Sequence, residues 1–278
     1  MLKKAYLEIT SECNLACSFC HGTSRKVKYM TEAEFTEAAK KLRPHTEYLY
    51  FHLMGEPLLH PLLKRFFEIA AELGFKVVIT TNGTLLEEKK EILLSAPSLH
   101  KVSISLHAYE ANAMDGSPDK YLDECFSFCD EASARGIICV MRLWNLGGED
   151  SMNGMILRRM EARFPKPWQD CQNGFKLRNK LFLEYGERFE WPDEEAELYP
   201  DNHSCYGLRD QVGVLSDGRI VPCCLDADGV ITLGNIFESE LSEVLNSPRA
   251  VALKRSFETR CIKEPLCLRC GFAATRVK

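Results

Sequence analysis

The feature that most constrains this 278-residue chain is an alternation. From the N-terminus to about residue 185, short segments rich in β-branched and aromatic residues take turns with segments whose apolar residues recur at helical spacing. The spacing predicts strands over 5–9, 48–53, 76–80, 101–106, 137–143 and 180–184. Helices are expected between them over 32–42, 61–73, 86–95, 121–135 and 152–163. Gly74 and Gly136 stand where a helix C-terminus calls for a left-handed residue. Such a rhythm reads as repeated βα units around a parallel sheet, an α/β fold.

The pattern loosens over 144–179, and acidic residues dominate 184–201, which reads as a solvated linker. After Cys205 the texture changes. Two apolar runs flank Asp217-Gly218, a two-residue hairpin signal, and one helical stretch is expected over 239–257. The chain therefore divides into a barrel-like unit over 1–185, a linker over 186–204 and a small unit over 205–278. A net charge of −5 offers no basic field for nucleic acid. The start MLKKAYLEIT turns polar too soon for a signal peptide, and no apolar run approaches the ~20 residues of a membrane span. A cytoplasmic protein without membrane partners is expected.

Thirteen cysteines are the anomaly, because a reducing compartment removes disulfides as the usual reason for them. Metal or cluster ligation is the alternative, and the two dense groups suggest two sites. Cys13, Cys17 and Cys20 form a Cys-x3-Cys-x2-Cys run in the loop leaving the first strand. Three thiolates so spaced suit one face of a cubane cluster, with the fourth iron left open. Zinc with His21 as a fourth ligand is the competing reading, but adjacent Cys20 and His21 point apart in most backbone conformations.

The run CNLACSFC, with Phe19 before the third cysteine, resembles the motif of the radical S-adenosylmethionine superfamily. The resemblance covers about residues 4 to 185. It implies that Cys13, Cys17 and Cys20 hold a [4Fe-4S] cluster whose open iron is chelated by S-adenosylmethionine, with Phe19 against the adenine. Gly55-Glu56-Pro57 follows the second strand and is similar to the family's segment for the methionyl amine. Thr81-Asn82-Gly83 ends the third strand as in relatives, and Ser103 and Ser105 share one face of the fourth, whose end contacts ribose or carboxylate. Relatives often carry Asp where this chain has His107. Arg142 is a candidate for the methionyl carboxylate. The implied architecture is a partial (β/α)6 barrel of TIM type, with its site at the C-terminal strand ends.

In the second group Cys205, Cys223, Cys267 and Cys270 give Cys-x17-Cys, a long gap, then Cys-x2-Cys. The hairpin folds Cys223 back toward Cys205, so four thiolates can close one site. The pattern, with Gly218 and the LGNIFESELSEVLNS stretch, resembles the shortened SPASM domain called a twitch domain, which implies an auxiliary [4Fe-4S] cluster. A zinc ribbon is the alternative, and Cys224 or Cys261 could replace one of the four. Cys125 and Cys129 read as core, Cys139 and Cys171 each as core or chance, and Met54 and Met114 as packing residues. His45, His52, His60, His100 and His203 lack partners at ligand spacing.

By resemblance, the enzyme would cleave S-adenosylmethionine reductively and use the 5′-deoxyadenosyl radical to abstract hydrogen, drawing electrons from a donor such as flavodoxin or ferredoxin. Peptide-modifying relatives carry a recognition region before the barrel, whereas here the first cluster cysteine is residue 13, which favours a small molecule. An aminocyclitol, a nucleotide or a modified nucleobase is expected, a queuine lyase being one specific form. A peptide maturase or epimerase using Cys224 or Cys261 as hydrogen donor is the enzymatic alternative. A non-catalytic zinc-binding module is the non-enzymatic one. Asn145, Glu184, Tyr185, Asp226 and Asp228 are polar candidates near the site, each with a solvated loop as its plainer fate.

Overall fold

In the computed structural model, which describes residues 1–112, 117–199 and 204–275, strand β1 (Lys4–Leu7) lies in the interior of a sheet. Met114 and His203 fall outside the described residues. Strands β2 (Tyr48–Tyr50), β3 (Lys76–Thr81), β4 (Leu99–Ser105) and β5 (Ile138–Leu146) follow, each parallel to the one before. Helices α1 (Glu32–Leu42), α2 (Leu63–Glu72), α3 (Leu86–Ser95), α4 (Pro118–Ala134) and α5 (Asn153–Arg163) alternate with them. Their starts follow local chemistry. Thr31 and Glu34 form a reciprocal capping box at α1, and Ser117 accepts from the Asp119 N–H at 3.2 Å, with Pro118 filling the first-turn position where no N–H is needed.

Side chains alternate across a strand, and here the two faces have different tasks. Ala5, Leu7, Leu49, Val77, Ile79, Val102, Ile104, Cys139, Met141, Leu181 and Leu183 are all at most 2% exposed. They belong to the main hydrophobic core, with Phe35, Phe66, Phe67, Phe126 and Phe128 of the helices. Burying a larger apolar side chain of this set is worth about 1.5 to 3 kcal/mol, so the register of these strands is fixed by their apolar sets. The opposite set carries Lys4, Tyr6, Tyr50, Thr80, Lys101, Ser105, Arg142 and Glu184, all of which line one cavity.

Two segments depart from expectation. The loose 144–179 stretch contains an antiparallel hairpin, β6 (Gln169–Cys171) and β7 (Gly174–Arg178), which packs on β8 (Leu181–Glu187). Its first strand is wholly exposed, so it lacks the apolar alternation that would have revealed it. The expected 239–257 helix is two, α6 (Leu241–Leu245) and α7 (Pro248–Glu258). Pro248 has no N–H to continue α6, and Ser247 caps the new start through the Ala250 N–H.

The C-terminal hairpin forms around Asp217-Gly218, between β9 (Gln211–Val214) and β10 (Arg219–Val221), but residues 215–218 make the link in place of the expected two, the Gly218 N–H donating to the Leu215 carbonyl at 2.8 Å, and β11 (Gly234–Asn235) extends it. Gly218 has φ +88°, and a Cβ there would come within 2.5 Å of Phe237. Its placement is the larger finding. β9 runs parallel to β1, pairing Lys4 with Gln211 and Leu7 with Val214, so one eleven-stranded sheet runs β11-β10-β9-β1-β2-β3-β4-β5-β8-β7-β6 among the described residues. The ladder does not close on itself as a barrel. Instead the edge that β1 would present is capped by the chain's own C-terminal strands, which removes an exposed pairing edge.

Candidate functional site

The cysteine loop leaves β1 and returns through Tyr29, bridged to Thr10. Cys20 N–H donates to the Cys17 carbonyl at 2.9 Å, a tight turn that keeps the last two thiols close. Each of the three sulfurs meets an N–H donor. Asn82 Nδ2 stands 4.0 Å from Cys13 Sγ, Asn112 Nδ2 donates to Cys17 Sγ at 3.1 Å, and the Gly22 N–H donates to Cys20 Sγ at 3.4 Å. Donors aimed at sulfur favour the thiolate, whereas burial pushes the Cys13 thiol up to about 11 and raises Cys17 and Cys20 as well. A cationic iron core resolves that opposition, since a coordinating thiol loses its proton outright. The donor set therefore fits cluster ligation. Asn112 escaped sequence reasoning because a lone asparagine between two helical turns carries no spacing signal. It also ties down the loop, accepting from the Ala16 N–H at 2.9 Å and donating to the Ala108 carbonyl at 2.6 Å.

The Gly-Glu-Pro turn lies directly beneath this loop. Gly55 has φ +76°, and a Cβ would sit 2.4 Å from the Thr10 carbonyl oxygen, so only glycine fits. The next N–H, of Glu56, donates to the Glu12 carbonyl at 2.7 Å. The Glu56 carboxylate is 2% exposed and accepts the N–H of Leu58, just after Pro57, at 3.1 Å and that of Asn82 at 2.8 Å. It thus joins the ends of β2 and β3. Burial pushes its pKa up to about 7 against the pull of those donors. Asn82 extends the link to Asn14 Oδ1 at 2.9 Å. Ser105 lines the cavity, whereas Ser103 is fully buried with its hydroxyl unpartnered.

The cavity fed by the inward strand positions has a volume of about 470 Å³. Phe19 lines it, its ring 4.6 Å from that of His107, which stands in place of the expected Asp. His107 is buried, its Nδ1 3.1 Å from the Arg142 carbonyl oxygen, and burial holds its pKa down at about 4. Arg142 lies 3.5 Å from Glu184 and 4.4 Å over the Trp144 ring. The 186–204 segment is more than a solvated linker. Phe189 and Trp191 line the same cavity, and Trp191 Nε1 donates to the Phe19 carbonyl at 2.9 Å. Of the other polar candidates, Asn145 is spent on Asn153 and the Glu149 carbonyl, and Tyr185 faces a different cleft.

Cys205, Cys223, Cys267 and Cys270 all line one small cavity of about 20 Å³ walled by Pro222, Ile231, Phe257 and Ile262. The long gap is thus closed in space. Burial pushes Cys270 up to about 11 and raises Cys223 and Cys267 further, and like-charge neighbours within the set add to it. Buried thiols gathered around one apolar void are arranged for a multi-metal core. The two spare thiols separate cleanly. Cys224 lines the central cavity against Tyr6, whereas Cys261 is exposed and borders neither cavity. Cys125, Cys129 and Cys139 are fully buried, and Cys171 is exposed on β6. None of the thirteen cysteines, all of them among the described residues, is in a disulfide.

One carboxylate locks the two halves of the site together. Glu8 is fully buried; its Oε2 receives Arg25 at 2.8 Å and the Met54 N–H at 3.1 Å, while its Oε1 receives the Ser216 hydroxyl at 2.9 Å and its N–H at 3.1 Å. Arg25 continues to the Ala227 carbonyl at 2.9 Å, and Asp228 accepts from Thr23 at 2.5 Å and from the Ser24 N–H at 2.9 Å. Asp226 closes its own turn on the Val230 and Ile231 N–H groups. Asp228 thus helps build the junction between cysteine loop and C-terminal segment, whereas Asp226 lines the cavity of the second cysteine group, and neither lines the central cavity.

Residues 7–152 match the profile of the Radical SAM superfamily, and residues 205–271 match that of an iron-sulfur cluster-binding domain, SPASM. The chain is 38% identical over 96 residues to a tungsten-containing aldehyde ferredoxin oxidoreductase cofactor-modifying protein of Pyrococcus furiosus, covering 32% of this chain and 26% of that one. It is 25% identical over 172 residues to an AdoMet-dependent heme synthase of Oleidesulfovibrio alaskensis, covering 60% and 41%. The alignments thus span well under half the length of these curated relatives. In fold it is similar to BtrN solved with AdoMet and 2-DOIA, with a TM-score of 0.63 at 18% identity over 97% of this chain and 93% of that one. It is also similar to Streptococcus suis SuiB bound to precursor peptide SuiA, with a TM-score of 0.59 at 18% identity over 99% and 70%. Among the described residues no helix is long and apolar enough to cross a membrane.

Proposed function

Because the chain belongs to the radical S-adenosylmethionine superfamily, we propose that it uses S-adenosylmethionine to take a hydrogen atom from a small molecule held in the central cavity. The superfamily domain binds a [4Fe-4S] cluster and S-adenosylmethionine, and the SPASM domain binds an auxiliary iron-sulfur cluster. When bound, the cluster supplies one electron that breaks the sulfonium and yields the hydrogen-abstracting 5′-deoxyadenosyl radical. The chain's own residues do the rest. Cys13, Cys17 and Cys20 hold the first cluster, and the Asn112 and Asn82 amides donate to its thiolates, which sets how readily it gives up an electron. Glu56 meets the methionyl ammonium, while Gly55 and Pro57 shape the turn that brings the backbone near. Phe19 lies against the adenine, Ser105 serves ribose or carboxylate at the end of β4 while the buried Ser103 does not reach the cavity, and Arg142 offers its fork to the methionyl carboxylate. Cys205, Cys223, Cys267 and Cys270 hold the auxiliary cluster.

The observation that carries this reading is that one cavity is lined at once by Phe19 of the cysteine loop, by Arg142 and Glu184 of the sheet, and by Cys205, Cys223 and Cys270 of the second group. A substrate there would touch both cofactor sites. Lined by aromatic rings with a few charged groups, the cavity has the make-up of a small-molecule site. An aminocyclitol, a nucleotide or a modified nucleobase such as queuine fits that description, and a flavodoxin or ferredoxin would supply the electron. Cys224 is the spare thiol placed to return a hydrogen atom to a substrate radical, the feature that keeps a peptide maturase as the second reading. The test is anaerobic turnover of the reconstituted protein with a strong reductant, S-adenosylmethionine and deuterated candidates from each class. Formation of 5′-deoxyadenosine and methionine in equal amounts is expected, with deuterium carried into the deoxyadenosine by the true substrate. Iron-replete protein that forms no 5′-deoxyadenosine would overturn the reading, and transfer from a peptide alone would move the substrate to the second one.

A further inference from the structure

The part of the central cavity farthest from the cysteine loop is cationic. Lys101 sits early on β4, level with Val78 of β3, and Lys4 opens β1, so both project from the N-terminal ends of their strands into the same space. His52 faces them from beyond β2, with Arg142 the third cation near its ring. Among the described residues Lys101 makes no ion pair within 4.0 Å, and Glu184, the one carboxylate lining this cavity, lies 3.5 Å from Arg142. His52 Nδ1 is buried without a hydrogen-bond partner. Buried polar atoms are rarely left so, and an orphaned donor in a cavity is completed by whatever the cavity binds. Burial and the surrounding cations hold the imidazole neutral, its pKa down at about 3, so His52 brings a hydrogen bond and no further charge. Tyr6 and Tyr50 present their rings to Lys4 at 5.0 and 5.1 Å and wall the space on one side.

We propose that this floor binds an oxyanion, so that the substrate of the reaction is a small molecule with a carboxylate or phosphate at the end opposite the abstracted hydrogen. The inference rests on the radical S-adenosylmethionine reading above and narrows its substrate. Two lysines and a neutral imidazole around one group give charge together with direction: ammonium groups neutralise the anion and His52 Nδ1–H fixes one oxygen. Lys4 and Lys101 lie toward the starts of their strands, away from Glu56 and Ser105, so the two lysines are distinct from the residues assigned to S-adenosylmethionine, of which only Arg142 comes near the His52 ring. A neutral substrate would leave Lys101 desolvated and unpaired, an arrangement that costs free energy without return.

The experiment is anaerobic equilibrium dialysis of the reconstituted, S-adenosylmethionine-loaded protein. Radiolabelled orthophosphate is used in one arm, radiolabelled succinate in a second and labelled glycerol as the neutral control. At least one anion should bind saturably and glycerol should not; the tighter anion identifies a phosphate ester or a carboxylate as the substrate's terminal group. Lys101→Met should weaken that binding by about tenfold or more, Lys101→Arg should restore most of it, and affinity for labelled S-adenosylmethionine should be unchanged in both. Lys4→Met serves as the second variant if Lys101→Met loses iron or its circular dichroism spectrum. Absence of saturable binding of both anions to the parent protein, or binding indifferent to both lysine substitutions, overturns the oxyanion floor. If in that case the parent protein still forms 5′-deoxyadenosine, the floor alone has failed. If it forms none, the reading of the reaction has failed first.

Discussion

Cys20→Ala should abolish 5′-deoxyadenosine formation, whereas Cys267→Ala should retain it and lose product. The two thiols lie in different parts of the structure, one in the loop after β1 and the other among Cys205, Cys223 and Cys270. Removing a ligand from the first site leaves nothing to reduce the sulfonium. Removing one from the second leaves the loop, its Asn112 and Asn82 donors and the Gly55-Glu56-Pro57 turn as they were. Cleavage in that variant should be slow and uncoupled, because the second cavity borders the space where substrate sits. The check is to count 5′-deoxyadenosine and product in the same anaerobic reaction. Full product yield from Cys267→Ala, with the fold intact, would make the second group a structural staple, and zinc would become its better occupant.

The second large effect is on stability. Glu8→Ala leaves Arg25 buried beside the unsatisfied Met54 and Ser216 N–H groups, and breaking a buried pair from one side costs about 3 to 5 kcal/mol. Thermal unfolding followed by circular dichroism should fall by roughly 10 °C. Glu8→Gln, which keeps the shape and part of the hydrogen bonding, should lose less, about 1 to 3 kcal/mol. The same lesion frees the cysteine loop from Ala227 and Asp228, so iron retention after desalting should fall along with stability. A midpoint unmoved by Glu8→Ala would mean that this carboxylate does not lock the loop to the C-terminal segment.

How much of this the sequence discloses depends on which interactions are local. The strands and helices of the first half were legible because Ala5, Leu7, Val77, Ile79 and their kind are set by a period of two against helices with a period near 3.6. The Cys-x3-Cys-x2-Cys run and the Asp217-Gly218 turn were legible for the same reason, since their geometry is made within a few residues. The Gly55-Glu56-Pro57 run is legible as a motif, but only the structure shows that the Thr10 carbonyl is what excludes a Cβ at Gly55. What stayed hidden is non-local. Nothing near Gln211 announces a parallel partner two hundred residues earlier in β1, and Glu8 is one acid among forty until Ser216 and Arg25 are folded around it. Lys4, Lys101 and His52 likewise look like unrelated residues at strand starts and ends until the sheet curls their side chains into one cavity.

The central claim is that two cluster sites, built by two separate cysteine groups, flank one substrate cavity. Iron and sulfide determination after anaerobic reconstitution tests it most directly, together with the same measurement on a variant in which Cys13, Cys17 and Cys20 are all alanine. Two cubane clusters predict about eight irons per chain in the parent protein and about four in the variant. About four irons in the parent protein, accompanied by one zinc and lost altogether from the variant, would contradict it.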